Sequence, residues 1–162
     1  GVSNEEMKTG MASFRGVDRR FDFKIKTDKV VYLSDYAHHP EEIKQSILSM
    51  RALYGDKKLT GIFQPHLYTR TRDFYLEFAE SLSLLDEVIL TDIYPARELP
   101  IEGVSSQLIY DNLRPDIDKI LCTKEEVIDI LKKKEIEVLM TLGAGDIENY
   151  APQICEILNE RC

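Results

Sequence analysis

Asp35-Tyr36-Ala37-His38-His39-Pro40 is the densest run of chemistry-bearing side chains in the sequence. A carboxylate beside two imidazoles can hold a cation, orient a sugar hydroxyl or move a proton near neutral pH. The run also leads into a helical pattern. Asp35 or His39 taken singly could be no more than a helix cap, whereas the six residues together point to a site. A second set follows at His66 and Arg70, four positions apart across the start of another helical stretch. A helix dipole disfavours a cation at the N-terminus, so Arg70 there is suited to receive an anion such as a carboxylate or phosphate. The alternative for Arg70 is a surface ion pair with Asp73, and Arg72 is expected to be a surface residue of that kind.

Other patterns narrow the chemistry. Gly143-Ala144-Gly145-Asp146 can bring backbone N–H groups to an anion or simply make a tight turn; Glu148 stands where the third glycine of a dinucleotide fingerprint would fall. Zinc is disfavoured, because the adjacent His38 and His39 rarely reach one ion, no cysteine is near, and H-E-x-x-H is absent. The phosphate-cradling G-x-x-x-x-G-K-[ST] loop and the G-x-S-x-G nucleophile elbow are both absent.

Elements able to position these groups are legible in the periodicity. A helix is expected from Ser3 or Asn4 to about Phe14, then a hinge at Arg15-Gly16-Val17-Asp18-Arg19-Arg20. Phe21 to Lys26 alternates like a half-buried strand and can pair across Thr27-Asp28-Lys29 with Val30–Leu33 as a hairpin. Strands and helices then alternate. Helices are expected from Pro40 (Ile43, Ile47, Met50 and Tyr54 inward), along Phe74, Phe78, Leu82 and Leu85, over 104–113, over 124–134 and after Asp146. Strands are expected over 59–63, 87–93, 117–122 and 137–142, and Pro152 leaves the start of the last helix in doubt. The fold class is therefore α/β: a Rossmann-like, mainly parallel sheet with helices on both faces and an N-terminal strand that can run antiparallel. Ligands bind such sheets outside the carboxyl ends of the strands. The segments at those ends carry Asp35 to His39, Gln64 to Arg70, Asp92 with Tyr94, Arg97 and Glu98, and Gly143 to Asp146, so all three histidines fall on one rim.

The 162 residues suit one domain with a proper core, and 43% hydrophobic with 31% charged residues is an ordinary globular balance. Twenty-one basic against 29 acidic residues give a net charge of −8, which argues against non-specific binding to nucleic acid or to an anionic membrane. Cys122, Cys155 and Cys162 lack metal or redox spacing, fit a reducing compartment, and Cys122 reads as a small core residue. No apolar run reaches membrane-spanning or secretory length, and the chain reads as cytoplasmic.

The sequence resembles the C-terminal domain of the Mur ligases, ATP-dependent enzymes of peptidoglycan precursor synthesis. The resemblance rests on Phe14 to Asp22, on Asp35-Tyr36-Ala37-His38-His39-Pro40-Glu41-Glu42, and on Phe63-Gln64-Pro65-His66-Leu67-Tyr68-Thr69-Arg70-Thr71-Arg72-Asp73. Pro100 to Val104 and Leu142 to Asp146 complete it in family order. It implies a three-domain enzyme of which residues 1–20 are the linker helix and hinge from the ATPase domain, and residues 21–162 the amino-acid-binding domain. It further implies that ATP, with Mg2+, phosphorylates a carboxylate that an amine then attacks. In the alanine-adding branch the substrates are L-alanine and UDP-N-acetylmuramate. By the same resemblance Tyr36, His38, His66 and Arg70 line the alanine pocket, with His38 or His66 accepting a proton, while Arg20 and Asp35 meet the nucleotide on closure. Many relatives carry arginine at the position of Leu67, which supplies no cation here. A murein-recycling peptide ligase shares the Asp35 segment but lacks the His-x-Tyr-Thr-Arg-Thr-Arg-Asp run. A standalone flavodoxin-like binding module is the other alternative.

Overall fold

The computed structural model describes residues 1–14 and 16–161; Arg15, part of the expected hinge, and Cys162 lie outside the described residues. Helix α1 (Asn4–Ser13) begins at a capping box in which the Ser3 hydroxyl accepts from the Glu6 N–H and the Glu6 carboxylate accepts from the Ser3 N–H. It buries none of its residues. Strand β1 (Asp22–Lys26) pairs antiparallel with β2 (Val31–Asp35), and Thr27 closes the hairpin by exchanging hydrogen bonds with Val30. Then follow α2 (Pro40–Leu53), β3 (Leu59–Phe63), α3 (Tyr68–Leu82), β4 (Glu87–Leu90), α4 (Gln107–Asn112), β5 (Asp118–Leu121), α5 (Val127–Lys132), β6 (Val138–Leu142) and α6 (Ala151–Asn159).

The six strands lie in the order β1-β2-β6-β3-β4-β5, parallel except for β1. Alternation along each strand feeds two cores. Val31, Leu33, Leu59, Phe63, Val138 and Met140 face α2, α3 and α4 through Ile43, Ile47, Phe78, Leu82 and Ile109. Tyr32, Ile62, Ile89 and Leu139 face α5 and α6 through Val127, Leu131, Ile154 and Leu158. The chain runs outward from β2 to β5 with its helices on the first face. It then returns by α5 on the second face and inserts β6 between β2 and β3. The segment after β6 leaves toward α6, while those after β2 and β3 leave toward α2 and α3. A crevice opens where these departures diverge.

Several boundaries move inward from the expected ones. Strand β4 ends at Leu90 rather than residue 93, because beyond it the chain bonds to the loop after β3 through the Tyr94 N–H and the Pro65 carbonyl (2.8 Å). The helix expected over 104–113 spans only 107–112: at its N-cap the buried Ser106 hydroxyl donates to the Thr91 carbonyl at 2.6 Å and ties the start of the helix to the end of β4. Residues 124–126 and 147–150 form 3-10 turns, so α6 begins at Ala151 and Pro152 sits in its first turn, where no N–H is missed. Cys122 is half-buried rather than fully in the core, and burial pushes its thiol up to about 11.

Gly143 ends β6 with φ +137, and a Cβ there would stand 2.6 Å from the Gln64 carbonyl oxygen. Gly143→Ala is expected to destabilise the domain by at least about 2 kcal/mol in urea titrations. Gly10→Ala, in the unpacked α1 where a Cβ meets nothing within 4 Å, should leave that transition in place.

Candidate functional site

Asp35 ends β2 with its carboxylate already engaged: it accepts from the Phe21 N–H at 3.3 Å and the Ser46 hydroxyl at 2.7 Å. It thereby ties the segment before β1 to the inner face of α2. The Tyr36 N–H donates to the Arg19 carbonyl at 2.6 Å, and the Arg19 guanidinium lies 4.8 Å from the Tyr36 ring centre, that of Arg20 5.9 Å. Arg19 also reaches the Gly145 carbonyl at 3.2 Å and the Glu148 carboxylate at 4.0 Å. Of the two hinge arginines, Arg19 is the one tied to the turn after β6. Arg20, the residue expected from sequence, is exposed beside it.

His38 follows with Nδ1 at 3.0 Å from the Tyr36 carbonyl oxygen and 3.4 Å from a Glu42 carboxylate oxygen. The same Glu42 oxygen accepts from the N–H groups of His38 (3.0 Å) and His39 (3.1 Å), closing the N-terminus of α2. Burial works to raise the Glu42 pKa. The His38 N–H bond and the nearby imidazoles outweigh it and leave the carboxyl lowered. His39 turns away, its ring 5.1 Å from that of Phe74 between α2 and α3. The rim thus unites two of the three histidines.

His66, after β3, sits 6.0 Å from His38, ring centre to ring centre. Tyr94 from the β4–α4 loop stacks on its other side at 5.7 Å, and the Leu67 N–H donates to the Tyr94 carbonyl at 3.0 Å. Leu67 is held at φ +74, a strained conformation for a side chain of this size, at the N-cap of α3. The next turn is closed by Glu98, which accepts from the Thr69 N–H (2.9 Å) and hydroxyl. Arg70 places a guanidinium nitrogen 3.3 Å from His66 Nδ1. Among the described residues no carboxylate lies within 4.0 Å of it; Asp73 pairs with Arg72 instead, at 2.7 Å. A cation at a helix N-terminus with no carboxylate beside it has the chemistry to pair with an anion.

Arg20, Phe21, Asp35, Tyr36, His38 and Ser46 line a cavity of about 350 Å³. His66 and Arg70 are not among the residues lining that cavity; His38 is, and its ring stands 6.0 Å from that of His66. The Gly143–Asp146 turn is not an open anion cradle. Gln64 fills it, donating to Asp146 at 2.8 Å and accepting the Ile147 N–H at 2.9 Å, and Gly145 leaves room for Gln64 and Tyr94. Lys124 pairs with Asp146 at the same turn. Among the described residues no group of three or more His, Cys, Asp or Glu could hold a metal ion. Sequence reasoning missed Arg19 and Glu42. Glu42 stands three residues after the N-cap, a capping-box spacing that could have found it; nothing in the sequence separates Arg19 from Arg20.

Burial, then Arg70 and His38, push the His66 imidazole below its ordinary 6.5, against the opposing pull of Glu98. Because the folded value is the lower one, its contribution to stability is complete above about pH 6.5 and is lost as pH falls through the depressed value. Arg70→Ala should move the His66 titration upward and Glu98→Gln further downward, read by histidine NMR resonances against pH. An unmoved His66 in Arg70→Ala would contradict the geometry.

Comparisons with known proteins follow the same lines. The Mur ligase, glutamate ligase domain family matches residues 19–147. UDP-N-acetylmuramate–L-alanine ligase of Phocaeicola vulgatus is 77% identical over 99% of this chain, and that of Parabacteroides distasonis 58% over 98%. The chain spans about 35% of the length of these relatives. Among solved structures, the UDP-N-acetylmuramate–alanine ligase of Thermotoga maritima superposes with TM-score 0.73 at 27% identity, over 92% of this chain and 32% of that one. A murein peptide ligase of Psychrobacter arcticus, at TM-score 0.71 and 17% identity over 98% of this chain and 33% of that one, shares the fold. No helix is long and apolar enough to cross a membrane among the described residues. With the crevice, its histidine pair and the unpaired Arg70 all inside the matched span or at its loops, the chain belongs to the Mur ligase, glutamate ligase domain family.

Proposed function

We propose that this chain is the amino-acid-binding domain of a cytoplasmic, ATP-dependent ligase that joins L-alanine to UDP-N-acetylmuramate. Residues 1–20 are the linker from a preceding ATPase domain and residues 21–162 the domain itself. The observation that carries this reading is Arg70, a half-buried guanidinium at a helix N-terminus beside a His66 imidazole whose pKa burial and Arg70 lower. A free amino acid presents a carboxylate and an ammonium on one carbon. Arg70 fits the carboxylate, and a histidine on the rim fits the ammonium, which must lose a proton before it can attack. Tyr36 and His38 form the wall between this subsite and the hinge-side cavity. With Leu67 supplying no cation, Arg70 is the charged group this segment offers the carboxylate.

When bound, ATP with magnesium would supply the phosphoryl group that activates the sugar-linked carboxylate toward the amine. The described residues do not form a metal site and the sequence has no phosphate-cradling loop, so both would be held mainly by the rest of the enzyme. Arg20 is exposed and fits a contact to the nucleotide when the domains close. The Asp35 carboxylate keeps lone pairs beyond its two bonds for a ribose hydroxyl.

The test is phosphate release by the full-length protein supplied with UDP-N-acetylmuramate, ATP and Mg2+, with amino acids and the murein tripeptide in competition. Alanine should be preferred; preference for the tripeptide would instead favour the recycling ligase. Arg70→Ala should raise the KM for alanine by about 10- to 100-fold, the loss of one charge-assisted contact. The 162-residue chain by itself should not turn over, since the electrophile is absent; substantial turnover by it would overturn the reading.

A further inference from the structure

The two site histidines present their Nδ1 atoms to partners of opposite kind. His38 Nδ1 lies 3.0 Å from the Tyr36 carbonyl oxygen and 3.4 Å from Glu42 Oε2, both of which only accept. His38 therefore carries its proton on Nδ1, and its Nε2 is a lone pair. His66 Nδ1 lies 3.3 Å from an Arg70 guanidinium nitrogen, which only donates. His66 therefore keeps a lone pair on Nδ1 and a proton on Nε2. The other groups around the pair leave this arrangement standing: Tyr94 stacks on the His66 face, Glu98 is engaged by Thr69, and Arg19 lies over Tyr36.

We infer that His38 is the proton acceptor of the site and His66 a hydrogen-bond donor, a division that rests on the amino-acid-binding reading above. One ammonium proton passes to His38 Nε2, giving a neutral amine with its lone pair exposed and an imidazolium whose Nδ1–H stays on the Tyr36 carbonyl beside the Glu42 carboxylate. His66 Nε2–H and the Arg70 guanidinium hold the amino acid's carboxylate. Ring centres 6.0 Å apart suit a ligand whose ammonium and carboxylate sit on one carbon. Glu42 is a positioning residue: it fixes the His38 tautomer without touching the substrate.

Two measurements test the division. Long-range 1H–15N correlation on the histidine-labelled chain near pH 8, above the ordinary imidazole range, should show His38 as the Nδ1–H tautomer and His66 as the Nε2–H tautomer, assigned with His38→Gln and His66→Gln. The same tautomer for both, or the reverse pair, overturns the inference. Glu42→Gln should mix the His38 tautomers and leave His66 unchanged; two unmoved histidines would remove Glu42 from the account. In the full-length enzyme, His38→Gln should lower kcat about a hundredfold with the alanine KM nearly kept. His66→Ala should raise KM about tenfold, and His66→Gln, which still donates, should recover part of that loss. The opposite split overturns the assignment of roles. Expected tautomers in a protein without ligase activity would instead remove the proposed reaction and leave the hydrogen-bonding division intact.

Discussion

Everything at the site depends on β6 entering the sheet between β2 and β3. The three strand ends Asp35, Phe63 and Leu142 are brought into register by this insertion, yet the segments that follow them leave toward opposite faces. The crevice so formed is why residues near position 36 and residues near position 66 become neighbours. Gly143 and Gly145 are the local condition for it. Without side chains they let Gln64 and Tyr94 close over the turn, and that closure supports the His66 side.

The site is held by backbone groups more than by paired charges. Tyr36 is fixed through the Arg19 carbonyl, His38 through the Tyr36 carbonyl, and Leu67 through the Tyr94 carbonyl. Glu42 and Glu98 do parallel work at two helix N-termini, each satisfying N–H groups that would otherwise be unpaired. Arg70 is left beside His66 with no carboxylate within 4.0 Å among the described residues, and a strained Leu67 stands before its helix. Strain of this kind persists only where surrounding bonds over-determine the backbone, and the loop carrying Tyr94 and Glu98 provides those bonds.

Much of this was readable from the residues. The alternation of Val31 to Leu33, the Pro40 start and the Ile43, Ile47, Met50 face are local patterns, and they specify β2 and α2 directly. Topology put the segments Asp35 to His39 and Gln64 to Arg70 on one rim, and the family resemblance singled out Tyr36, His38, His66 and Arg70 within them. Other features depend on contacts that no local pattern encodes. Glu98 reaches Thr69 across 29 residues, and Arg19 reaches the Gly145 carbonyl across 126. His39 looked equivalent to His38 in sequence, and only its position at the N-cap of α2 turns it toward Phe74. The Gly143 turn had two readings, and the buried Gln64 carboxamide decides for the closed one.

The most direct measurement is a structure of the full-length protein with L-alanine bound. The account predicts the alanine carboxylate on Arg70 and His66 Nε2, and its nitrogen within about 3 Å of His38 Nε2. Alanine seated in the hinge-side cavity beside Asp35, with Arg70 unoccupied, would contradict it.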